Sequence, residues 1–145
     1  MMHRLSVVAL LVLLACGSAS SEPAPQPVEA PKPLPPPATM AEVRNVDVEA
    51  LAQAEDAGEV ALLLDVRTPE EYASGHVPGA QNLPLDQLGD KLGELQPHKD
   101  QEVWVICQSG GRSSVAAERL AAAGFKPVNV KGGTGAWKAA GHPVE

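Results

Sequence analysis

Residues 102–124 read E-V-W-V-I-C-Q-S-G-G-R-S-S-V-A-A-E-R-L-A-A-A-G. Val103 to Ile106 is β-branched and aromatic, the composition of a short buried strand. Cys107 sits at its C-terminal end. Gln108 to Arg112 form a tight loop in which Gly110 and Gly111 admit backbone angles that a Cβ resists. Ser113 or Ser114 is expected to cap the helix that follows, and Gly124 to end it. A cysteine between a strand end and a helix N-terminus meets unpaired N–H groups and the positive end of the helix dipole. Both favour a thiolate, and both stabilise an anion bound beside it. Cys107 is therefore the candidate nucleophile, with an inert buried thiol as the bland alternative.

Strands and helices alternate outward from this unit. Val43 to Val46 can be a first strand, and Asp47 can cap a helix through Leu51 that stops at Gly58. Val60 to Asp65 is a continuous apolar run ending in an acid, as in a strand covered on both faces. Thr68-Pro69-Glu70-Glu71 has the form of a capping box, with proline at the first helical position. His76 to Gly79 is a turn and Ala80 to Leu83 a brief strand. Pro84 to Leu95 is expected to be an amphipathic helix with Leu85, Leu88, Leu92 and Leu95 on its apolar side. Val115, Ala116, Leu120 and Ala123 are expected to form the apolar face of the helix after Cys107. Pro127 to Val130 and Thr134 to Ala140 complete the series as strand and helix, with Gly132 to Gly135 as a tight turn that lets Trp137 pack. Such alternation implies a mainly parallel five-stranded sheet covered on both faces, a three-layer α/β/α domain over residues 41–145. Ligands of such sheets bind beyond the carboxyl ends of the strands. Cys107 and the Asp65-Val66-Arg67 segment both lie at such ends.

The two ends of the chain differ in kind. His3 and Arg4 precede an apolar Leu5 to Leu14, too short to span a bilayer and built like a secretory leader. Leu13-Leu14-Ala15-Cys16-Gly17 resembles a bacterial lipobox, which implies a leader over 1–15 and lipid on Cys16. The alternative is an ordinary leader cleaved nearby. With Gly17 rather than Asp after the cysteine, the outer membrane is favoured if the cell is Gram-negative. Ser18 to Ala38 holds eight of the fourteen prolines, so residues 16–40 read as an extended tether rather than a core.

Composition narrows the function. Hydrophobic residues make up 44% of the 145, aromatic ones only 3%, so the core must be built of Val, Leu and Ala. The net charge of −7 without a basic cluster argues against nucleic acid. Cys16 and Cys107 are the two cysteines. With lipid on the first, Cys107 is an unpaired thiol in an oxidising compartment. His76, His98, His142 and Cys107 lack metal-ligand spacing, so no metal is expected.

The Cys-Gln-Ser-Gly-Gly-Arg-Ser loop after a hydrophobic strand resembles the active-site loop of rhodanese-like sulfurtransferases. Leu62 to Leu85 (L-L-L-D-V-R-T-P-E-E-Y-A-S-G-H-V-P-G-A-Q-N-L-P-L) and Gly132 to Trp137 (G-G-T-G-A-W) extend the resemblance over roughly residues 43–145. It implies that the Cys107 thiolate takes sulfur from a small donor (thiosulfate or a persulfide) and passes it to a thiol or cyanide acceptor, without cofactor. Gln108, Ser109, Gly110, Gly111, Arg112 and Ser113 would line the substrate cradle. Arg112 would bind an anionic donor or close the loop on its own carbonyls. Arg67 would lie near the pocket or pair structurally with Asp65, Glu70 or Glu71. Some thiosulfate-using relatives resemble a loop with basic residues after the cysteine, where this chain has Gln108 and Ser109. That difference turns attention to persulfide donors. The runner-up within catalysis is a thiol-dependent reductase or phosphatase on the same cradle, but cysteine phosphatases of similar fold resemble a loop one residue longer, suited to a tetrahedral phosphate. A non-catalytic sulfur carrier or binding module, paired with an envelope protein, remains the reading of a different class.

Overall fold

The computed structural model describes residues 41–145; the expected leader, Cys16 and the proline-rich tether up to residue 40 lie outside them. The elements are β1 (Arg44–Val46), α1 (Val48–Asp56), β2 (Leu62–Asp65), α2 (Pro69–Ala73), β3 (Gln81–Asn82), α3 (Leu88–Lys91), a 3-10 turn (Gln96–His98), β4 (Glu102–Ile106), α4 (Gly111–Ala122), β5 (Lys126–Val130) and α5 (Gly133–Ala139). The five strands form one sheet in the order β1-β5-β4-β2-β3. Each neighbouring pair is parallel, so the three-layer α/β architecture holds, with a sheet parallel throughout among the described residues.

Period-two alternation sorts the strand side chains into two cores. Leu63, Trp104, Ile106, Val128 and Val130 face Val48, Leu51 and Ala54 of α1 and Trp137 of α5. Leu62, Leu64, Val103, Val105 and Cys107 face Leu88 of α3 and Ala116 and Leu120 of α4. Burial on both faces explains why β2 and β4 read as unbroken apolar runs rather than alternating ones.

The local stop and start signals act as their chemistry dictates. The Asp47 side chain accepts the Ala50 N–H at the start of α1. Thr68 and Glu71 complete a reciprocal capping box around Pro69 on α2. Gly124 takes a positive φ just beyond α4, a backbone state costly for a residue with a Cβ.

Two expectations are corrected. The helix over 84–95 shrinks to the single turn of α3, which ends before Gly93, and a 3-10 turn that carries Pro97 follows. Its leucines still find the core: Leu88 and Leu95 are buried, and Leu85 and Leu92 pack against the same cluster. On α4 the buried line is Ser113, Ala116, Ala117, Leu120 and Ala121. Val115 lies off that i, i+3, i+4 stripe and is exposed.

The most conspicuous polar feature of the interior is Arg67, 1% exposed, against Asp65, 0% exposed. Its guanidinium meets Asp65 Oδ2 at 2.6 Å through one terminal nitrogen and Oδ1 at 2.9 Å through Nε. The same terminal nitrogen donates to the Gly75 carbonyl at 3.0 Å, and the Arg67 N–H to Asp65 Oδ1 at 3.1 Å. The pair ties the end of β2 to the end of α2. Removing one partner leaves the other buried without a counter-charge. Asp65→Asn is accordingly expected to lower the unfolding free energy by about 3–5 kcal/mol, read as a lower urea midpoint at unchanged slope. Asp65→Leu combined with Arg67→Met should recover part of that loss.

Candidate active site

Because the strands are parallel, the ends of β2, β4 and β5 lie side by side at one edge of the sheet, and the loops that leave them meet there. Cys107 leaves β4 buried, 1% exposed. The chain then reverses through Gly110, whose φ of 101° marks the left-handed region. Gly110 itself is the N-cap of α4. The expected cap at Ser113 or Ser114 is corrected: the reversal is completed so soon after Cys107 that both serines already lie inside the helix. Gly111 is an ordinary helical residue.

The loop presents donors to the sulfur. The Gly110 N–H donates to Cys107 Sγ at 3.0 Å. Burial works against ionisation of the thiol, but the Ser113 hydroxyl and the N–H groups of Ser113, Ser109 and Gly110 outweigh it and hold Cys107 below its ordinary value. The α4 N-terminus carries no side-chain cap hydrogen bond, and the N–H of its N-cap, Gly110, goes to the sulfur.

The turn into α5 fixes the loop from the other side. The Thr134 N–H donates to the Cys107 carbonyl at 2.7 Å and the Gly135 N–H to that of Gln108 at 3.0 Å. Gly133 must be glycine: its φ is 59°, and a Cβ there would run into the Cys107 carbonyl oxygen and the Gln108 backbone. The tight turn expected at 132–135 is thus also a backbone brace for the cysteine, and Trp137 is buried behind it.

The polar side chains expected to line the cradle divide into two sets. Ser113 is buried at the sulfur, and Ser109 stands exposed in the loop. Gln108 is exposed as a residue, yet its Oε1 is engaged: it accepts the Thr134 hydroxyl at 3.0 Å and lies 3.5 Å from the Arg67 guanidinium. Arg67 is wholly buried on Asp65, so the ion-pair alternative describes it.

Arg112 has a partner that neither of its expected courses named. It makes a bidentate pair with Glu71, at 2.6 and 2.7 Å, across 41 residues of sequence. Hydrogen bonds from Arg112 pull the Glu71 carboxyl from 4.5 down to about 2, so Glu71 is ionised throughout the physiological range. Glu71 in turn raises Arg112 further. Arg112 thereby clasps the cysteine loop to α2 with its charge already answered. A groove of about 310 Å³ runs alongside, walled by Val66, Thr68, Pro84, Leu85, Arg112 and Arg119.

Glu71 and Asn129 had no role at the site in the reading of the sequence. Glu71 serves both its capping box and Arg112, and a capping residue gives no hint of a second partner. Asn129 did leave a signal, a lone amide within the apolar run V-N-V of β5. It is 3% exposed and accepts the Ser113 hydroxyl at 2.7 Å.

One pH dependence follows. The thiolate is the species that alkylates, and the hydrogen-bonded form of Cys107 is the ionised one. The rate of Cys107 alkylation by iodoacetamide should therefore rise and level off at lower pH than that of a free thiol such as N-acetylcysteine. Ser113→Ala should move the midpoint upward. A midpoint at or above that of the free thiol would mean that burial, not the donors, governs the sulfur.

Residues 47–140 match the family model described as Rhodanese-like domain. A protein of Allochromatium vinosum named Sulfurtransferase is 37% identical over 103 residues, 70% of this chain and 94% of its own length. YrkF of Bacillus subtilis, provisionally named a sulfur carrier, is 38% identical over 96 residues; the match spans 66% of this chain and only 51% of that relative. The crystal structure of a rhodanese-related protein from Thermoplasma volcanium superposes with a TM-score of 0.64 at 32% identity, covering 70% of this chain and 97% of that one. With the parallel sheet and the cysteine loop at its carboxyl edge, these similarities lead to one conclusion: the chain belongs to the rhodanese-like domain family.

Proposed function

We propose that the protein is a sulfurtransferase of the cell envelope, which moves sulfane sulfur from a donor to a thiophilic acceptor through a persulfide on Cys107. The observation that carries this reading is the sulfur itself, buried at the end of β4 with the Gly110 N–H on it at 3.0 Å and its ionised form favoured. In the first half-reaction the thiolate attacks the outer sulfur of a donor R–S–S⁻. The donor S–S bond breaks, R–S⁻ leaves with its electron pair, and Cys107–S–S⁻ remains. In the second half-reaction an acceptor attacks the terminal sulfur and the thiolate returns. With cyanide the product is thiocyanate. The fixed N–H groups that hold the thiolate would also stabilise the terminal sulfur anion, without reorganisation.

The donor is better read as an organic persulfide than as thiosulfate. Glu71 neutralises Arg112, and Gln108 and Ser109 add no charge beside the cysteine. A dianion gains little from such a cradle, whereas a thiol persulfide needs only the sulfur and the donors. With four residues between Cys107 and Arg112, the loop also suits a small sulfur rather than a phosphoryl group. The name of the Bacillus relative favours a second reading, a carrier that loads sulfur and hands it to a protein partner. Lipid on Cys16 and the proline-rich segment would keep the domain at a membrane, facing the periplasm or the exterior.

Intact-mass measurement of the full chain tests the central step. Incubation with a small alkyl persulfide should add one sulfur. Cyanide should remove it, and Cys107→Ala should abolish the gain. A folded protein with a reduced Cys107 that takes up no sulfur from either a persulfide or thiosulfate would overturn the reading. Stable loading without turnover on any small acceptor would favour the carrier.

The donor preference has its own test. Glu71→Gln keeps the capping box, since glutamine serves at that position as well as glutamate does, but frees the charge of Arg112. It should raise loading from thiosulfate roughly two- to fivefold, the scale of an exposed ion pair, and leave loading from an alkyl persulfide nearly unchanged. Equal effects on both donors would show that Glu71 does not set the preference.

A further inference from the structure

Beside Cys107, at the end of the next strand, stands Lys131. β4 and β5 pair with Val105 opposite Asn129, and the next equivalent position along both chains sets Cys107 beside Lys131. Strand character persists that far, since the Lys131 N–H still donates to the Val46 carbonyl of β1 at 2.8 Å. Val128 and Val130 belong to the core under α1 and α5, and Asn129 turns to Ser113 of α4. By the same alternation Lys131 leaves β5 on the α4 side, where Cys107 lies with Val103 and Val105. The loop is just as close. A Cβ built on Gly110 would stand 3.6 Å from Lys131 Cα and 3.3 Å from the Gly132 nitrogen, and Gly110 is the residue whose N–H holds Cys107 Sγ.

The charge of Lys131 is uncommitted. Arg67 and Arg112 are tied to Asp65 and Glu71, whereas Lys131 is exposed and makes no ion pair among the described residues. The acid next to it by register is Asp47, which follows Val46. That carboxylate is turned to its own helix, where it accepts the Ala50 N–H at 2.9 Å. An ammonium on a flexible four-carbon stem can sweep the approach to the loop and stay hydrated. Its charge is thus available to a group that an incoming molecule carries a few bonds behind its reacting atom.

We propose that Lys131 determines acceptor specificity, as a cationic arm at the mouth of the cysteine loop that selects small thiols bearing a carboxylate. The proposal rests on the sulfurtransferase reading and concerns its second half-reaction. The acceptor thiolate attacks the terminal sulfur of Cys107–S–S⁻. A new S–S bond forms as the bond to Cys107 Sγ breaks, the Cys107 thiolate leaves with the electron pair, and the acceptor departs as its own persulfide. A carboxylate on the acceptor adds a further negative charge to a step in which two anions already meet. Lys131 offsets that repulsion and turns the carboxylate into a handle.

Two measurements on the full chain separate this site from the sulfur chemistry. In the first, the rate of mixed-disulfide formation at Cys107 is taken with 2-sulfonatoethyl and with 2-hydroxyethyl methanethiosulfonate at low salt, on the tryptic peptide that carries the cysteine. In both reagents the thiolate attacks the sulfenyl sulfur and methanesulfinate leaves with the electron pair; they differ in an anion a few bonds out. Lys131→Gln should lower the anionic-to-neutral rate ratio roughly two- to fourfold, the scale of one exposed charge pair, and high salt should erase the difference. Lys131→Arg should keep the ratio. Lys126→Gln, the same loss of charge at the opposite end of β5, should leave it unchanged. In the second, Cys107 is loaded from a neutral alkyl persulfide, and its discharge by 3-sulfanylpropanoate is compared with that by 3-sulfanylpropanamide. Lys131→Gln should lower the carboxylate-to-amide ratio by about the same factor. A reagent ratio unchanged in Lys131→Gln, or lowered as far by Lys126→Gln, would overturn the proposal. So would a discharge ratio equal in wild type and Lys131→Gln. Failure of Cys107 to load at all would overturn the sulfurtransferase reading, while the reagent ratio would still decide whether Lys131 governs the mouth.

Discussion

Parallel pairing is the constraint from which the molecule follows. Parallel strands cannot be joined by tight hairpins, so each connection must cross the sheet and brings a helix with it. Those helices bury both faces, which is why Leu62–Leu64 of β2 and Val103–Ile106 of β4 are apolar without a break. The same pairing aligns the strand ends. Val66, at the end of β2, donates its N–H to the Ile106 carbonyl at 2.9 Å, and one residue later the chain reaches Cys107. The site therefore forms from neighbouring strand ends rather than from a loop closing over a surface.

At that edge two arginines are spent on structure. Arg67 is consumed by Asp65 and the Gly75 carbonyl, and Arg112 by Glu71. What stands at the sulfur is the Gly110 N–H, in a loop held by α4 and by the brace from α5. Fixed dipoles in a water-poor pocket stabilise a localised anion effectively and do not need to reorganise when it forms. They offer less to a diffuse dianion. The proposed sulfur chemistry and the proposed disfavour of an anionic donor thus rest on one arrangement.

Much of this was legible in the residues themselves. Thr68-Pro69-Glu70-Glu71 announces its capping box because every partner lies within one turn. Asp47 and Gly124 mark helix ends for the same reason. The sequence from Val103 to Gly110 places a cysteine at a strand end and a reversal after it, which is a local statement about backbone angles. Where local signals competed, reading them in order misplaced the elements. Ser113 and Ser114 are good caps in isolation, but the early reversal at Gly110 put them inside α4. The leucines of 84–95 have helical spacing, yet the helix stops at Lys91, before Gly93 and Pro97, while all four side chains still pack against the core.

Sequence by itself thus determined the alternating elements, the two-sided sheet, the cysteine at the carboxyl edge and the glycines around it, because each depends on interactions between residues a few positions apart. Tertiary structure alone decided what the polar side chains do. Arg112 had several carboxylates within its sequence neighbourhood and beyond, and it took Glu71, 41 residues away. Asn129 met Asn45 across 84 residues and Ser113 across 16. A charged or amide side chain can satisfy itself with many partners of the same type, so composition and spacing do not select among them. Packing selects, by bringing only one partner within reach in a medium that leaves no other.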